Sequence, residues 1–524
     1  MAYVVTQACC ADASCVVACP VNCIHPAPGE PGFAEAEMLY VDPLSCVGCG
    51  ACVTACPVDA IKPQHALTPA ERPFSVLNAA YYEEFSHSDR PPLAVVAKQR
   101  RLAASRPVRV AVVGAGPAGL YVADELLRHP EVTVDIFDRL PTPYGLLRAG
   151  VAPDHQHTKQ AARLFRAIEE QPGFRYLLGV EVGRDVTQAE LAEHYDAVVT
   201  CVGAASDKRV GVAGEDLPGS VSATDFVAWY NGHPERQHLA VPLDRARAVV
   251  IGTGNVALDV ARILTADPDE LARTDMALGA WAALAGSAVR EVVVLGRRGP
   301  DDAAFTLPEL VGLAGLSSIN VLLDTGGAEI TTTGERGRLL RELASREPMA
   351  DRRTIVLRFR AVPTAIVGAA SVEGVRVNDA ETIEAGLVLR AVGYRGQPVA
   401  GLPYDEATGT VPNDRGRVAP GTYVAGWIKR GPTGFIGTNK SCAQETVSQL
   451  LDDLDAGLET MLTGERDVSD LLRTRGIRPI GLDGWRAIDR EERRRGVGSG
   501  RPRTKIVTLD ELRATATSRL RETV

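Results

Sequence analysis

Apolar and polar positions fall along this chain in two recurring blocks. At Val108 the run VRVAVV is apolar at nearly every position, the pattern of a strand buried on both faces. A glycine-rich turn follows, then LYVADELLR with apolar residues at helical spacing, then a second buried run, VTVDIF, ending at Asp138. The block returns at Ala248 as AVVIG, a glycine-rich turn, the helical LDVARIL and the strand EVVVLG. Two later runs, LVLRAVGYRG (387–396) and TYVAGW (422–427), read as strands that rejoin the first sheet. The order therefore predicts an α/β fold in which the second unit is inserted in the first.

The turns supply the chemistry. Gly114-Ala115-Gly116-Pro117-Ala118-Gly119 sits between strand and helix, with Asp138 closing the next strand: a complete dinucleotide fingerprint. The glycines let backbone approach a pyrophosphate at the helix amino end, and the acid takes ribose hydroxyls. The second turn, Gly252-Thr253-Gly254-Asn255-Val256-Ala257, leads to a strand ending in Arg297-Arg298 instead of an acid. Two guanidinium groups there suit the 2′-phosphate of NADP; the bland alternative is a surface pair. Two Rossmann-like domains imply two nucleotides, FAD on the first and NADP(H) on the second. The predicted boundaries are 107–212 with 386–524 for the FAD domain and 213–385 for the inserted NADP domain.

Ahead of this body lies a segment of different grain. Nine of the 11 cysteines fall between Cys9 and Cys56; Cys201 and Cys442 are the other two. Their spacing is an internal repeat. The second copy reads Cys46-x2-Cys49-x2-Cys52-x3-Cys56-Pro57, and the first reads Cys9-x2-Asp12-x2-Cys15-x3-Cys19-Pro20. In iron–sulfur runs of this spacing three close thiolates hold one cluster and the fourth, before proline, crosses to the other. Cluster B is thus assigned to Cys46, Cys49, Cys52 and Cys19. Cluster A receives Cys9, Cys15 and Cys56, with Asp12 as candidate fourth ligand: either [3Fe–4S] or a labile Asp-ligated [4Fe–4S], with cluster B a [4Fe–4S]. A zinc module is the competing reading, but tetrahedral zinc has no use for the third Cys or the Cys-Pro. Cys10 and Cys23 read as unligated buried thiols, Cys10 being the alternative to Cys9. These motifs resemble bacterial dicluster ferredoxins, small α+β domains, over residues 1–63.

Composition narrows the class. A 524-residue chain, 45% hydrophobic and 23% charged, excludes disorder, collagen and a small disulfide scaffold. The start MAYVVTQACC lacks a signal-peptide pattern, and Met276–Val289 is too short to span a bilayer, so a cytoplasmic protein with reduced thiols is expected. A net charge of −9 argues against nucleic acid as partner. The basic tail (Arg486, Arg490, Arg493, Arg494, Arg495, Arg501, Arg503, Lys505) reads as a solvated helix face. The head holds one Lys against six Asp/Glu, an acidic surface suited to basic partners. Between head and body, 64–106 is rich in proline (Pro69, Pro73, Pro91, Pro92) and reads as a semi-extended tether, with the patch Tyr81–Phe85 docking on either neighbour.

Longer strings carry a specific resemblance. PTPYGLLRAGVAPDH (141–155), GTGNVALDVARIL (252–264), GRRGP (296–300), FTLPEL (305–310), GWIKRGPTGFIGTNKS (426–441) and GWRAIDREERRRG (484–496) resemble adrenodoxin-reductase-type ferredoxin–NADP reductases. With its head, the whole chain resembles the bacterial fused ferredoxin/ferredoxin–NADP reductases. The resemblance implies FAD contacts at Ala118, Asp138, Leu146, Val182, Trp427, Gly434, Phe435 and Ile436, besides Gly114, Gly116 and Gly119. It implies NADP contacts at Thr253, Gly254, Asn255, Val256, Arg297, Arg298, Glu309 and Gly434. His155 and Glu309 are implied to position groups and exchange protons at the flavin–nicotinamide stack; the alternatives are a helix cap and an exposed helix residue. Relatives of the two-nucleotide class often end the returning strand in Gly-Asp, where this chain has Gly426-Trp427. No CxxC flanks the flavin, so disulfide reduction is not expected. Lys429 and Arg430 are read as steering an acidic ferredoxin, or as phosphate-binding or structural. The implied activity is hydride transfer between NADPH and FAD, then single electrons to iron–sulfur clusters of the head, a soluble ferredoxin or a downstream redox enzyme. Alternatives are an electron-entry subunit of a glutamate-synthase-like complex, or a redox or iron sensor using cluster A.

Overall fold

The computed structural model describes residues 2–86, 93–94, 100–102, 106–458 and 467–517. Two six-stranded sheets organise the body. In the first, Val108–Val113 lies between Val132–Asp138 and Ala197–Thr200 in parallel, with Phe174–Leu178 at one edge and Thr422–Val424 then Arg417–Ala419 at the other. The second runs Ser220–Ser222, Leu387–Arg390, Arg247–Ile251, Glu291–Leu295, Thr354–Arg358, Asn320–Asp324, all parallel. Thr422–Val424 rejoins the first sheet as expected, but Leu387–Arg390 does not. It pairs with Arg247–Ile251 inside the second sheet, so this strand belongs with the inserted unit. Its residues Leu387–Leu389 are buried whichever sheet they join, and a run apolar on both faces carries no mark of its neighbour.

The head pairs Tyr3–Val5 with Ile61–Pro63 and Ile24–His25 with Tyr40–Val41, both antiparallel. Its two short helices, Ser14–Ala18 and Ala51–Ala55, share one geometry: a left-handed residue before each (Ala13, φ 62; Gly50, φ 78) and an extended cysteine after each. The sequence repeat is therefore a structural repeat, and the first copy holds alanine where the second has glycine, the residue that adopts this φ without strain.

The stretch read as a tether is instead partly helical. Pro73–Glu84 is a helix packed on the head, with Phe74 and Leu77 buried. Asn78 staples it down. Its Oδ1 accepts from Val5 N (3.1 Å) and Val41 N (2.9 Å), and its Nδ2 donates to Val5 O (2.9 Å). Tyr81 stacks on Tyr40 and Tyr82 donates to Tyr40 O at 2.6 Å, so the aromatic patch docks on the head. Proline content misled because Pro73 occupies the first helical turn, where its missing N–H costs nothing. The prolines at 91 and 92 lie outside the described residues.

The basic tail also departs from expectation. Arg486, Arg490, Arg493, Arg494 and Arg495 do lie on one helix, Leu482–Val497, but Arg501 and Lys505 are buried beyond it. Arg501 Nε donates to Thr274 O at 2.9 Å, and Arg503 pairs with Asp489 (2.8 Å) and the buried Glu492 (3.1 Å). Lys505 meets Asp275 at 3.1 Å, and Lys159 meets the other oxygen of Asp275 at 2.6 Å. One buried carboxylate thus holds two buried ammonium groups from distant parts of the chain. Burial works against ionised Asp275, yet Lys159 and Lys505 hold its carboxyl far below the usual range. A depressed carboxyl contributes stability that is complete above about pH 4 and lost as pH falls further. Asp275→Asn should therefore lower stability by about 3–5 kcal/mol, because the two lysines, whose ammonium groups burial already pulls below their usual range, lose their anion. Urea unfolding from about pH 7 to about pH 3 should also show a flatter acid limb in the variant than in the parent.

Candidate functional site

Both dinucleotide turns have the form that the motif requires. Gly114 has φ +112, and a Cβ there would meet Cys201 O at 2.5 Å; in the second turn a Cβ on Gly252 (φ +124) would meet Ala391 O at 2.2 Å. The helices that follow, Pro117–Leu127 and Asn255–Thr265, start at Gly116 and Gly254 with no side-chain cap among the described residues. Space is open at both: a Cβ on Gly254 meets nothing within 4 Å and one on Gly116 nothing nearer than 3.9 Å. Uncapped N–H groups above an open, side-chain-free turn fit a pyrophosphate. Asp138 Oδ2 accepts from Ala115 N at 2.9 Å, bracing the first turn from the end of its strand, while burial raises its carboxyl above the ordinary range. In the second unit Arg297 and Arg298 are exposed just after Gly296, where a Cβ would press on Thr253 Cγ2 at 3.0 Å. The pair thus borders the phosphate turn.

The segment Gly426–Lys440 wraps the first site. Gly426 (φ +74) has no room for a side chain, since a Cβ would meet that of Ala118 at 2.6 Å. Gly426 N donates to Cys442 Sγ at 3.2 Å, which makes Cys442 structural. Trp427 Nε1 donates to Thr433 O (3.1 Å), and Thr438 Oγ1 accepts from Phe435 N (3.0 Å), so Trp427, Gly434, Phe435 and Ile436 sit on one pinned loop. Leu146 starts the short helix Leu146–Ala149 and is 37% exposed; Val182 packs on the cluster of Val113, Phe137 and Val180, and Val180 N donates to Asp138 O at 2.9 Å. Lys429 is buried against Glu445 and donates to Thr446 Oγ1 at 3.0 Å, while Arg430 Nη2 donates to Asn439 Oδ1 at 3.1 Å. Both serve the loop itself, so of the roles open for them the structure favours the structural one.

Between the two units lies a buried charge cluster that sequence reading saw only in part. Ligand atoms of His155, Asp259 and Glu309 all lie within 4.8 Å of one another. Glu309 is buried on helix Leu307–Ala314, which removes the exposed-residue alternative. His155 precedes helix Gln156–Lys159 and its side chain does not cap it. Its Nε2 lies 2.9 Å from Arg262 Nη2, and the same guanidinium pairs with Asp154, with Asp259 (2.6 Å) and, at 3.7 Å, with Glu309. Burial raises the Glu309 carboxyl, Asp259 raises it further, and His155 and Arg262 oppose them. Burial also works on Asp154, but Arg262 and His155 hold it down to about 2. Arg262, Asp154 and Asp259 were missed. The available signal was an arginine within the apolar stripe of LDVARIL, a position that buries charge unless acids wait for it.

The candidate sulfur ligands of the head lie in two neighbouring groups. Burial raises the thiols of Cys9, Cys15 and Cys56, Cys9 to about 12, and the nearby charge of Asp12 raises each further. Cys19, Cys46, Cys49 and Cys52 line a single cavity with Cys23 and the apolar Val21, Ile24 and Val41. Backbone N–H groups already point at sulfur: Ala11 to Cys9 (3.4 Å), Ala60 to Cys56 (3.3 Å), Cys23 to Cys19 (3.4 Å). Such donors stabilise thiolate, so the residues present fit iron–sulfur clusters. Asp12 is buried and accepts from Ser14 Oγ. Cys10 is 3% exposed and belongs to the apolar cluster of the first nucleotide domain, against which Cys9 also packs.

The head is seated against both nucleotide domains. Cys10 O accepts from Gly437 N at 2.8 Å, Asp12 O from Lys440 Nζ at 3.3 Å and Ala34 O from Thr438 Oγ1 at 3.3 Å. Gly437 has no spare volume: a Cβ would lie 1.8 Å from Ala11 O. On the other side Gln7 Nε2 donates to Glu309 Oε2 at 3.2 Å and Glu37 Oε1 accepts from Asn255 Nδ2 at 3.0 Å. None of these contacts was expected from sequence.

Comparison with known proteins agrees with this geometry. Residues 108–299 match a pyridine nucleotide-disulphide oxidoreductase family model, and residues 39–62 match a 4Fe-4S binding domain. The latter covers the second cysteine copy and not the first, in which Asp12 interrupts the pattern. A probable ferredoxin/ferredoxin–NADP reductase of Mycobacterium leprae is 47% identical over 98% of each chain, and one of Mycobacterium tuberculosis is 48% identical over all of this chain and 96% of its own. The solved Mycobacterium tuberculosis FprA in complex with NADPH aligns with a TM-score of 0.74 at 42% identity, covering 78% of this chain and 100% of that one. Among the described residues no helix is long and apolar enough to cross a membrane. An oxidoreductase body of this type implies FAD and NADP(H), and the 4Fe-4S module implies an iron–sulfur cluster. Near-complete coverage at this identity leaves one assignment: the chain belongs to the fused ferredoxin/ferredoxin–NADP reductases.

Proposed function

We propose that this chain is an NADPH–ferredoxin oxidoreductase that passes electrons from its nucleotide body to its own head. FAD and the clusters supply the redox chemistry: hydride exchange with NADPH, then release of electrons one at a time. The protein's own residues bind, orient and insulate. Gly114, Gly116 and Gly119 admit the FAD pyrophosphate, Asp138 braces that turn, and Trp427 with Gly434–Ile436 presents a pinned loop to the flavin. Thr253–Val256 receive the NADP(H) pyrophosphate, with Arg297 and Arg298 on the 2′-phosphate. His155 and Glu309, held by Arg262, which Asp154 and Asp259 anchor, position the reacting rings and hold a proton beside them.

In the head, Cys9, Cys15 and Cys56 hold cluster A, as [3Fe–4S] or with Asp12 as a fourth ligand, and Cys19, Cys46, Cys49 and Cys52 hold cluster B. Thiolate ligands of this kind persist in a reducing compartment, which supports a cytoplasmic location. One observation carries the reading. The loop bearing Cys9, Asp12 and Cys15 is bonded to Gly437–Lys440, the continuation of the flavin loop, so cluster A is the head's point of entry. Cys49, on the other ligand set, is exposed, which suits delivery from cluster B to a soluble ferredoxin or a downstream enzyme.

Anaerobic EPR of the purified holoprotein before and after NADPH tests this. The expected result is a change in the cluster signals together with flavin bleaching, and a signal in the oxidised protein if cluster A is [3Fe–4S]. Flavin bleaching with cluster signals that never change, even with added soluble ferredoxin, would overturn the internal route.

A further inference from the structure

The head does more at the body than bring sulfur ligands close. Glu37 reaches from the head to Asn255, the first residue of helix Asn255–Thr265, and stays near Glu309 and Asp259. One oxygen, Oε1, is held by Asn255 Nδ2 at 3.0 Å. The other, Oε2, is shut off from solvent and has no hydrogen-bond partner among the described residues. A buried polar atom left in this state costs free energy and is expected where a ligand completes the bond. Asn255 is itself pinned, since its Oδ1 accepts from Thr306 N at 2.9 Å, so the pair cannot turn away to find another partner.

We propose that Glu37 is a nicotinamide-binding residue supplied by the iron–sulfur head, its Oε2 hydrogen-bonding the carboxamide of bound NADP(H). This rests on the reading of Glu309, beside Glu37, as a nicotinamide-side contact; Asn255, at the start of the pyrophosphate helix, ties Glu37 into the same cleft. The other parts of the dinucleotide do not suit this atom. The pyrophosphate is directed to the uncapped N–H groups at Gly254, the adenosine end to Arg297 and Arg298, and the acids Glu309 and Asp259 beside Glu37 disfavour an anion there. A neutral amide bearing both C=O and N–H fits an acidic, buried pocket. Burial, reinforced by Glu309 and Asp259, raises the Glu37 carboxyl to about 9, so near neutral pH it carries the proton and Oε2–H donates to the carboxamide oxygen. The head thereby completes the nucleotide site, and Gln7, bonded to Glu309 at 3.2 Å, holds the neighbouring acid in place.

The test uses full-length holoprotein and two variants. Glu37→Leu keeps volume and removes both polar ends; Glu37→Gln keeps an acceptor for Asn255 and an N–H donor for the carboxamide oxygen. Titration of the flavin spectrum with NADP+ and the KM for NADPH with ferricyanide are measured alongside binding of 2′,5′-ADP, which has no nicotinamide. The expected result is about a tenfold loss in NADP+ affinity and a matching rise in KM for Glu37→Leu, near-parental values for Glu37→Gln, and unchanged 2′,5′-ADP binding in both. Glu35→Gln, at an exposed position two residues away, should change nothing. Parental NADP+ affinity in Glu37→Leu would overturn the proposal, as would equal losses for 2′,5′-ADP. Tighter binding in Glu37→Leu would overturn it in favour of competition between head and nucleotide, and a Gln variant as weak as Leu would overturn the assignment of Oε2 as donor. A protein whose flavin NADPH does not reduce at all would fail at the oxidoreductase reading, before Glu37 is in question.

Discussion

Gly437→Val should slow reduction of the head's clusters by NADPH by about 100-fold while leaving flavin reduction near its parental rate. Gly437 has ordinary helical dihedrals (φ −65, ψ −31), so no backbone strain is introduced by a side chain there. The obstacle is steric. A Cβ would lie 1.8 Å from Ala11 O and 2.7 Å from Asp12 N, and both are backbone atoms that no rotamer change can move aside. The loop of Cys9 and Cys15 must retreat by about 1 Å, losing the bond from Gly437 N to Cys10 O. Misplacement of this size between reacting groups costs on the order of 100-fold in rate. Stopped-flow absorbance follows flavin and clusters separately, and ferricyanide reduction reports the body without the head. Parental cluster reduction in Gly437→Val would mean that electrons do not cross at this contact.

Arg262→Met should lower stability by about 3–5 kcal/mol and reduce NADPH-dependent flavin reduction together. Arg262 is 7% exposed, and its guanidinium serves Asp154, Asp259, Glu309 and His155. Removing it leaves three carboxyl groups in a low-dielectric junction without their cation, and breaking a buried pair this way has that cost. Met fills similar volume, so the loss is electrostatic rather than a cavity. The sign of the pH effect follows. Arg262 opposes the burial that raises Glu309, so without it Glu309 titrates higher still and its protonated form extends to higher pH. The pH profile of flavin reduction should shift upward in the variant, an outcome that loss of packing would not produce. Thermal unfolding of the holoprotein and the pH–rate profile check the two halves.

Much of the site was legible before any coordinates, because its requirements are local. A turn that must pass backbone close to a pyrophosphate needs glycine at set intervals, and Gly114, Gly119 and Gly252 stand where a Cβ meets a carbonyl oxygen. Thiols that hold one cluster come from a short run, so the spacing of Cys46, Cys49 and Cys52 stands out as a pattern within the stretch that matches a 4Fe-4S binding domain. Legibility failed where a segment's role depends on its neighbour. Leu387–Arg390 reads equally well in either sheet; Pro73–Glu84 looks like a tether until Asn78 finds Val5 and Val41; Arg501 and Lys505 look solvated until Thr274 and Asp275 meet them.

The sequence by itself determined the two nucleotide turns, the acid and arginine endings of their strands, and the spaced repeat of seven cysteines and one aspartate in the head of a fused ferredoxin–reductase. Those are short-range devices, set by residues within one turn or one strand of each other. Only the tertiary structure decided how the head meets the body: Cys10 and Asp12 on Gly437 and Lys440, Gln7 on Glu309, Glu37 on Asn255. These pairs lie hundreds of residues apart, with no periodicity to link them. Their partners are chosen by packing, which leaves each buried donor or acceptor to be satisfied by whatever the fold brings within about 3 Å of it.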